Sequence, residues 1–227
     1  MSRMMFMGCI LSSLFLVSCS GSDTQLLWTT GSTLENITDE IMGTQTILAL
    51  WDSLTAGYWL EISQSYPSKL EDLLSQNGYN YDVINAGVSG DTSKNLLDRA
   101  ALYSEKNPDI VILVIGGNDG LRGQSIDTLK TNIQSIIDMY EWEAEIVLAG
   151  MEIPANLGLW YARDFKQVYF DIAEENPNVY FHESFLKDVG GVASLNQADR
   201  IHPTSEWYDI IVANLYEFLE DEDIIQQ

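Results

Sequence analysis

Short apolar runs alternate with longer amphipathic segments from Thr46 to the end of the chain. Runs of four to eight apolar residues, rich in Val, Ile and aromatic side chains, predict buried strands. The run at 109–115, DIVILVI, is almost continuously apolar and indicates a central strand covered on both faces. The predicted strands are TILAL (46–50), YDVINA (81–86), DIVILVI (109–115), EIVLAG (145–150) and VYFH (179–182).

The segments between these runs have apolar residues at helical spacing. The clearest set is Ile126, Leu129, Ile133, Ile136 and Ile137, which places one apolar stripe along a helix. Alternation of buried strands with such helices predicts an α/β fold, a three-layer sandwich around a central parallel sheet. The predicted helices cover 66–78, 93–105, 125–143, 161–177 and 205–223.

The first 22 residues have the layout of an export signal. Arg3 is followed by an apolar run through Val17 that is too short to span a bilayer, and small residues come next. Leu16 to Cys19 resembles a bacterial lipobox, so we expect a signal peptide over 1–18 and lipidation of Cys19. The alternative is a plain signal peptide that happens to contain cysteines. Residues 19–44 are predicted as a tether and 45–227 as the folded domain.

Charge and cysteine content narrow the expected partners. The net charge of −23 repels phosphate backbones and anionic lipid surfaces, so we expect no nucleic-acid partner and membrane contact only through the lipid at Cys19. The acidic surface itself indicates solvation rather than a specific cationic partner. The only cysteines are Cys9 and Cys19, so the mature chain would contain no disulfide within the chain and no cysteine metal site. The expected location is outside the cytoplasm, anchored in a membrane and more specifically the outer membrane.

The loops that follow the predicted strands contain the candidate chemistry. In an open parallel sheet, functional groups gather at the carboxyl ends of the strands. Ser53 follows the first strand, and His202 lies before the last helix, three residues after Asp199. This spacing lets a carboxylate reach the imidazole Nδ1 and leaves Nε2 for a hydroxyl. We therefore predict Ser53 as nucleophile, His202 as base and Asp199 as the group that orients the base.

Three donors are candidates for stabilising an oxyanion. They are the backbone N–H groups of Ser53 and Gly87 and the side-chain amide of Asn118, all in loops at strand ends. The second histidine, His182, ends a short apolar strand among aromatic residues and is predicted to be structural.

The loop after the fourth strand, MEIPANLGLWY (151–161), is apolar where a substrate wall is needed. We predict that it lines the acyl site, the alternative being an ordinary apolar surface loop. The residues expected there are Ile153, Pro154, Leu157 and Leu159.

Four segments together resemble the ordered sequence blocks of the SGNH (GDSL) hydrolase superfamily. They are DSLTAGY (52–58), NAGVSGDTS (85–93), GGNDGLRG (116–123) and DRIHP (199–203). With PANLG (154–158), they are most similar to the exported thioesterase, lysophospholipase and arylesterase branch. The resemblance implies a flavodoxin-like fold, neither metal nor organic cofactor, and the same site residues: Ser53, Gly87, Asn118 and His202, with Asp199 completing the triad.

One position departs from the family pattern. Trp51 stands before Asp52 and Ser53 where the family has glycine. Three interpretations are open: the ring reshapes the acyl site, it packs nearby without effect, or it displaces Ser53 and impairs the enzyme.

The expected activity is hydrolysis of carboxylic esters or thioesters through an acyl-serine intermediate. Expected substrates are short-to-medium acyl esters, aryl esters or lysophospholipids. The sequence leaves two alternatives open: a carbohydrate O-acetylesterase, and a lipid-binding lipoprotein whose catalysis is impaired by Trp51.

Overall fold

The computed structural model describes residues 43–199 and 201–227. The predicted signal peptide, Cys19 and most of the predicted tether lie outside the described residues, as does Arg200. No helix in the described part of the chain is both long and apolar enough to cross a membrane.

A central sheet of parallel strands confirms the predicted fold class. Within the described residues the sheet has five strands in the order β2-β1-β3-β4-β5, and every neighbouring pair is parallel. This order is that of flavodoxin-like folds. The strands are β1 (Gln45–Trp51), β2 (Tyr81–Gly87), β3 (Ile110–Val114), β4 (Glu145–Ala149) and β5 (Tyr180–His182).

The helices follow the predicted segments closely. Two short helices, Ser53–Ala56 and Gly117–Leu121, were not expected from the sequence because helices of four or five residues show no periodicity. The predicted helix 93–105 is α-helical only to Ala100 and continues as a 3₁₀-helix. The helices are α1 (Ser53–Ala56), α2 (Tyr66–Gln76), α3 (Ser93–Ala100), α4 (Gly117–Leu121), α5 (Ile126–Tyr140), α6 (Leu159–Glu175) and α7 (Ser205–Asp221), with 3₁₀ turns at 62–64, 101–106, 155–157 and 193–195.

The connections place helices on both faces of the sheet. The chain passes from β1 outward to β2, then returns past β1 to β3, β4 and β5. Because the crossovers are right-handed, helices that connect strands in one direction lie on one face of the sheet, and helices that connect strands in the other direction lie on the opposite face. Accordingly α2 packs against α7, whereas α5 packs against α3 and α6. The reversal point lies between β1 and β3, so a crevice at their carboxyl ends is the expected place for a site.

The core explains the apolar runs. All five residues of β3 are buried, as a strand covered by helices on both faces must be. Buried tyrosines satisfy their hydroxyls: Tyr140 donates to the Ala100 carbonyl and Tyr169 to the Ile115 carbonyl, both at 2.6 Å. These bonds tie helices α5 and α6 to neighbouring elements and leave neither tyrosine hydroxyl unpaired.

Arg99 of α3 joins the carboxyl ends of two strands. Its guanidinium donates at 2.8 Å to the Trp51 carbonyl at the end of β1 and at 2.8 Å to the Ala86 carbonyl of β2. Its Nε pairs with Asp91 at 2.6 Å. A planar guanidinium with several fixed donors suits this position because it can bond several acceptors at once.

Candidate active site

The loop and first turn after β1 position Ser53. Asp52 caps helix α1, since its Oδ1 accepts a 3.0 Å hydrogen bond from the Leu54 backbone N–H. Ser53 is therefore the first residue of the helix and is half-buried. Gly57 ends the helix with a left-handed backbone, φ 70°. The side chain of Ser53 thus projects from a short, capped turn at the carboxyl end of β1.

The loop before α7 brings His202 to this serine. His202 Nε2 lies 3.1 Å from Ser53 Oγ, and His202 Nδ1 lies 2.6 Å from Asp199 Oδ2. The other carboxylate oxygen, Oδ1, accepts from the backbone N–H groups of Ile201 and His202 at 2.9 and 3.0 Å. The three predicted triad side chains therefore form one continuous hydrogen-bonded chain.

Hydrogen bonding sets the charge of Asp199. Its partial burial acts to raise the pKa, but hydrogen bonds from the His202 ring and from the two backbone N–H groups outweigh this effect. The pKa of Asp199 falls to about 2. The carboxylate is thus ionised at neutral pH, as orientation of an imidazole requires.

Gln197 connects the two loops that hold Ser53 and His202. Its side-chain Nε2 donates to the Tyr58 carbonyl at 3.0 Å and to the Pro203 carbonyl at 2.8 Å. Its backbone N–H donates to the His202 carbonyl at 2.7 Å. The Tyr58 ring also contacts the imidazole, with 4.4 Å between ring centroids. The position of His202 therefore depends on contacts outside the triad.

Asn118, the predicted oxyanion donor, contacts the residue that precedes the nucleophile. It is the second residue of α4, and its Nδ2 donates to Asp52 Oδ2 at 2.7 Å. Because a side-chain amide carries two N–H bonds, Asn118 keeps a second donor besides the one that it gives to Asp52. Asp52 was visible in the sequence, but its role as a partner of Asn118 was not.

Burial dominates the electrostatics of Asp52. The side chain is 3 % exposed, and this burial raises the pKa to about 7, although hydrogen bonds from Leu54 and Asn118 act to lower it. Asp91 and Asp119 add a small upward effect. A carboxyl group that titrates near neutrality therefore adjoins both the nucleophile and Asn118.

Gly87 is required by close packing at the end of β2. A Cβ added there would lie 2.2 Å from the Ala56 backbone nitrogen, so the strand end packs directly on helix α1. The Gly87 N–H donates to Asn85 Oδ1 at 3.0 Å, and Asn85 Nδ2 donates to the Thr55 carbonyl at 2.9 Å. Asn85 therefore engages one of the predicted oxyanion donors, a contact that no sequence pattern indicates.

Trp51 lies in the core. Its side chain is 1 % exposed, and its ring meets the Phe185 ring edge-on at 6.0 Å between centroids. The ring also fills the space above Gly117, where a Cβ would lie only 2.9 Å from Trp51 Cζ2. The backbone at Trp51 is not in the left-handed region. The ring thus packs away from solvent, and the contact between Ser53 and His202 is retained.

The predicted substrate loop lies next to the loop that contains Asn118. Cβ atoms added at Gly120 and Gly123 would lie 2.7 Å from Ile153 and 3.3 Å from Leu157 respectively. Pro154, Leu157 and Leu159 are exposed. An open cleft of about 460 Å³ includes Ile153 and Leu159 in its wall but neither Ser53 nor His202. The acyl-binding role of this loop stays a prediction.

His182, predicted to be structural, is distant in the sheet from the triad. It ends β5 at the side of the sheet away from β1 and meets the Phe218 ring edge-on at 5.1 Å. Burial, with a smaller effect of Lys187, lowers the pKa of His182 to about 4. The imidazole is therefore neutral in the folded protein at neutral pH.

An α/β sandwich with a hydrogen-bonded serine, histidine and aspartate at the carboxyl edge of its sheet has the arrangement of serine hydrolases. Residues 49–210 match the model of the GDSL-like Lipase/Acylhydrolase family. The chain belongs to this family and is an ester hydrolase.

Similar proteins support this assignment. Esterase TesA of Pseudomonas aeruginosa is 37% identical over 178 residues, which cover 78% of this chain and 88% of that protein. Thioesterase 1/protease 1/lysophospholipase L1 of Escherichia coli K12 is 37% identical over 163 residues, 71% of this chain and 76% of that protein. A crystal structure of TesA matches with a TM-score of 0.74 and 37% identity, covering 78% of this chain and 99% of that one.

Proposed function

We propose that Ser53, His202 and Asp199 hydrolyse small carboxylic esters and thioesters through an acyl-Ser53 intermediate. The single observation that carries this proposal is the hydrogen-bonded chain from Ser53 Oγ through His202 to Asp199. The substrates that we propose are short-to-medium acyl esters, aryl esters and lysophospholipids. The relatives from Pseudomonas aeruginosa and Escherichia coli, named an esterase and a thioesterase/lysophospholipase, support esters, thioesters and lysophospholipids. The Vibrio mimicus relative, named an arylesterase, supports aryl esters.

In the acylation step Ser53 Oγ attacks the substrate carbonyl while His202 Nε2 takes its proton. Asp199, held ionised, stabilises the imidazolium that forms. The bond to the leaving group then breaks, and His202 Nε2 returns the proton to the leaving oxygen or sulfur. In the second step water attacks the acyl carbon while His202 Nε2 takes its proton. The bond to Ser53 Oγ then breaks, His202 returns the proton to Oγ, and the acid is released.

The oxyanion would be held chiefly by Asn118. Its amide is fixed by Asp52, so the remaining N–H is oriented before substrate arrives, and preorganised donors need no rearrangement as charge develops. The Ser53 backbone N–H is the second proposed donor. Gly87 is the third, and its participation requires Asn85 to release or share the Gly87 N–H, because Asn85 Oδ1 already accepts it.

A carbohydrate O-acetylesterase is the second candidate, since it would use the same catalytic groups. A preference for acetyl over longer acyl chains would favour it. The impaired lipid-binding protein is disfavoured by two observations: the Trp51 ring lies in the core, and Ser53 remains in contact with His202.

The test is hydrolysis of p-nitrophenyl esters from acetate to palmitate by the purified protein, with Ser53→Ala in parallel. We expect activity in the wild type that is lost in Ser53→Ala. Ser75→Ala is the matched control, because Ser75 is exposed on helix α2, and it should retain full activity. Equal rates for wild type and Ser53→Ala on every ester would contradict the proposal.

We also propose that the enzyme is exported and anchored in a membrane by a lipid, because the sequence supports both export and lipidation. The lipobox-like segment Leu16–Cys19 is the basis, and Cys19 would anchor the chain, with the outer membrane as the proposed site. Labelling with radioactive palmitate tests this in cells. Cys19→Ala should lose the label and the membrane association, whereas Cys9→Ala should keep both. A label that survives Cys19→Ala would contradict the anchor.

A further inference from the structure

Trp59 has an unusual backbone and an exposed ring close to the triad. Its φ is 62°, in the left-handed region, which is uncommon for a residue with a large side chain. Its side chain is 70 % exposed. A strained backbone that presents an apolar ring to solvent contributes little to folding, and such outliers gather at ligand sites.

A ladder of rings connects Trp59 to the catalytic base. The Trp59 ring stacks on the Tyr58 ring, with 4.9 Å between centroids and 22° between planes. The other contact of Tyr58 is with the His202 imidazole, at 4.4 Å and 40°. The Tyr58 carbonyl is held by Gln197. These contacts fix the position of the Trp59 ring relative to His202 through Tyr58.

The chemistry places the leaving group beside this ladder. In the tetrahedral intermediate the oxyanion faces the donors around Asn118, whereas the leaving oxygen must face His202 Nε2 to receive its proton. The group attached to that oxygen therefore extends past the imidazole. The Tyr58 ring packs against the His202 imidazole, and the Trp59 ring stacks on the Tyr58 ring.

We propose that the Trp59 ring forms the leaving-group subsite of this enzyme. It selects esters whose leaving group is a flat, apolar alcohol, above all a phenol. The proposal rests on the proposed function and specifies the substrate class of the same site. An aromatic leaving group would stack on the exposed Trp59 ring, as aromatic pairs at 4.5–7 Å between centroids do. Trp59 would then be a specificity-determining residue for the acylation step.

The surroundings favour an aromatic over an anionic leaving group. Ile201, next to His202 in sequence, is 61 % exposed, and Ile62, shortly after Trp59, is 76 % exposed. The protein carries a net charge of −23, which disfavours a leaving group with a net negative charge by repulsion. The glycerophosphocholine group of a lysophospholipid is zwitterionic and escapes this repulsion, so it is the competing occupant that the experiment must separate.

The experiment compares phenyl, 1-naphthyl and ethyl butyrate with the full-length protein. All three esters give the same butyryl-Ser53 intermediate, so an effect confined to some of them arises before the leaving group departs. The variants are Trp59→Gly, which removes the ring and relaxes the backbone, and Trp59→Phe, which retains a stacking surface. Trp142→Ala is the control, because Trp142 is 88 % exposed and lies just before the amino end of β4, whereas the triad lies at the carboxyl ends of the strands.

We expect the ratio of kcat/KM for phenyl over ethyl butyrate to fall about 3- to 10-fold in Trp59→Gly, in keeping with one lost aromatic contact. The ratio for 1-naphthyl butyrate should fall further, Trp59→Phe should restore most of it, and Trp142→Ala should not change it. Equal losses on phenyl and ethyl esters would overturn the proposal in favour of a role in positioning His202. A greater loss on lysophosphatidylcholine than on the phenyl ester would assign the subsite to choline and also overturn it. Wild type without activity over Ser53→Ala would refute the proposed function instead.

Discussion

Asp52 Oδ2 accepts a 2.7 Å hydrogen bond from Asn118 Nδ2, so the residue before the nucleophile orients the side chain proposed to hold the oxyanion. The same carboxyl caps the helix that starts at Ser53. One buried group thus sets the positions of the attacking atom and of its electrostatic partner. Its raised pKa shows that this arrangement costs stability once the group ionises.

Replacing Asn118 by alanine should lower kcat by about 10²–10³-fold with little change in KM, because the lost N–H acts mainly on the charged intermediate. Steady-state kinetics on p-nitrophenyl butyrate would measure this. Asn80→Ala is the control, since Asn80 is exposed at the opposite end of β2, and should behave as wild type. A change confined to KM would argue that Asn118 binds substrate without stabilising the oxyanion.

Asp52→Asn should change the pH dependence of stability. The folded-state pKa of about 7 lies above the ordinary value of 3.8, so the native protein holds a proton that the unfolded chain has lost. The wild-type free energy of unfolding should therefore fall as pH rises from about 4 to 7, by on the order of 4 kcal/mol from this group.

Urea unfolding of both proteins from pH 4 to pH 8 tests this expectation. The stability of Asp52→Asn relative to wild type should rise across that range and level off above pH 7, because asparagine does not titrate. Above pH 7, where Asp52 is ionised, the variant should also be less active, since Asn118 loses a charged acceptor. A stability difference that is constant with pH would contradict a raised pKa for Asp52.

Trp51→Gly restores the residue typical of the family but should not improve the enzyme. The ring fills core space between Gly117 and Phe185, so its removal leaves a cavity and should cost about 3–5 kcal/mol in the free energy of unfolding. Thermal and urea denaturation would measure the loss. The exposed Trp142 offers a control, and Trp142→Gly should cost far less. An unchanged stability with higher kcat would mean that the ring obstructs the active site.

Gln197→Ala should reduce kcat by up to ~10²-fold, because a small displacement of the catalytic base lowers the rate strongly. The side chain is the direct bond between the Tyr58 and Pro203 carbonyls, and without it the His202 loop can shift from Ser53. The neighbouring Asn196→Ala removes only a bond to the Val192 carbonyl and should retain activity. If both variants are equally active, the loop is held by its backbone alone.

Much of the architecture follows from local sequence pattern. The strand at 109–115 and the helix around Ile133 were predicted within a few residues. A strand covered on both faces gives a continuous apolar run, whereas a helix buried on one face gives apolar residues every three to four positions. Helices α1 and α4 were missed, since five residues are too few for any period to appear. Their existence depends on caps and packing at the strand ends, including the close approach of Gly87 to Ala56.

The sequence alone determined which groups could do the chemistry: a serine after the first strand, and an aspartate and histidine three residues apart, close enough to pair within one turn. The tertiary structure decided what surrounds them. It packed the Trp51 ring against Phe185, paired Asp52 with Asn118, set Asn85 on the Thr55 carbonyl and placed the Tyr58 ring against His202. These contacts join residues of different segments, and a side chain's direction and burial depend on the packing of elements that no local pattern encodes.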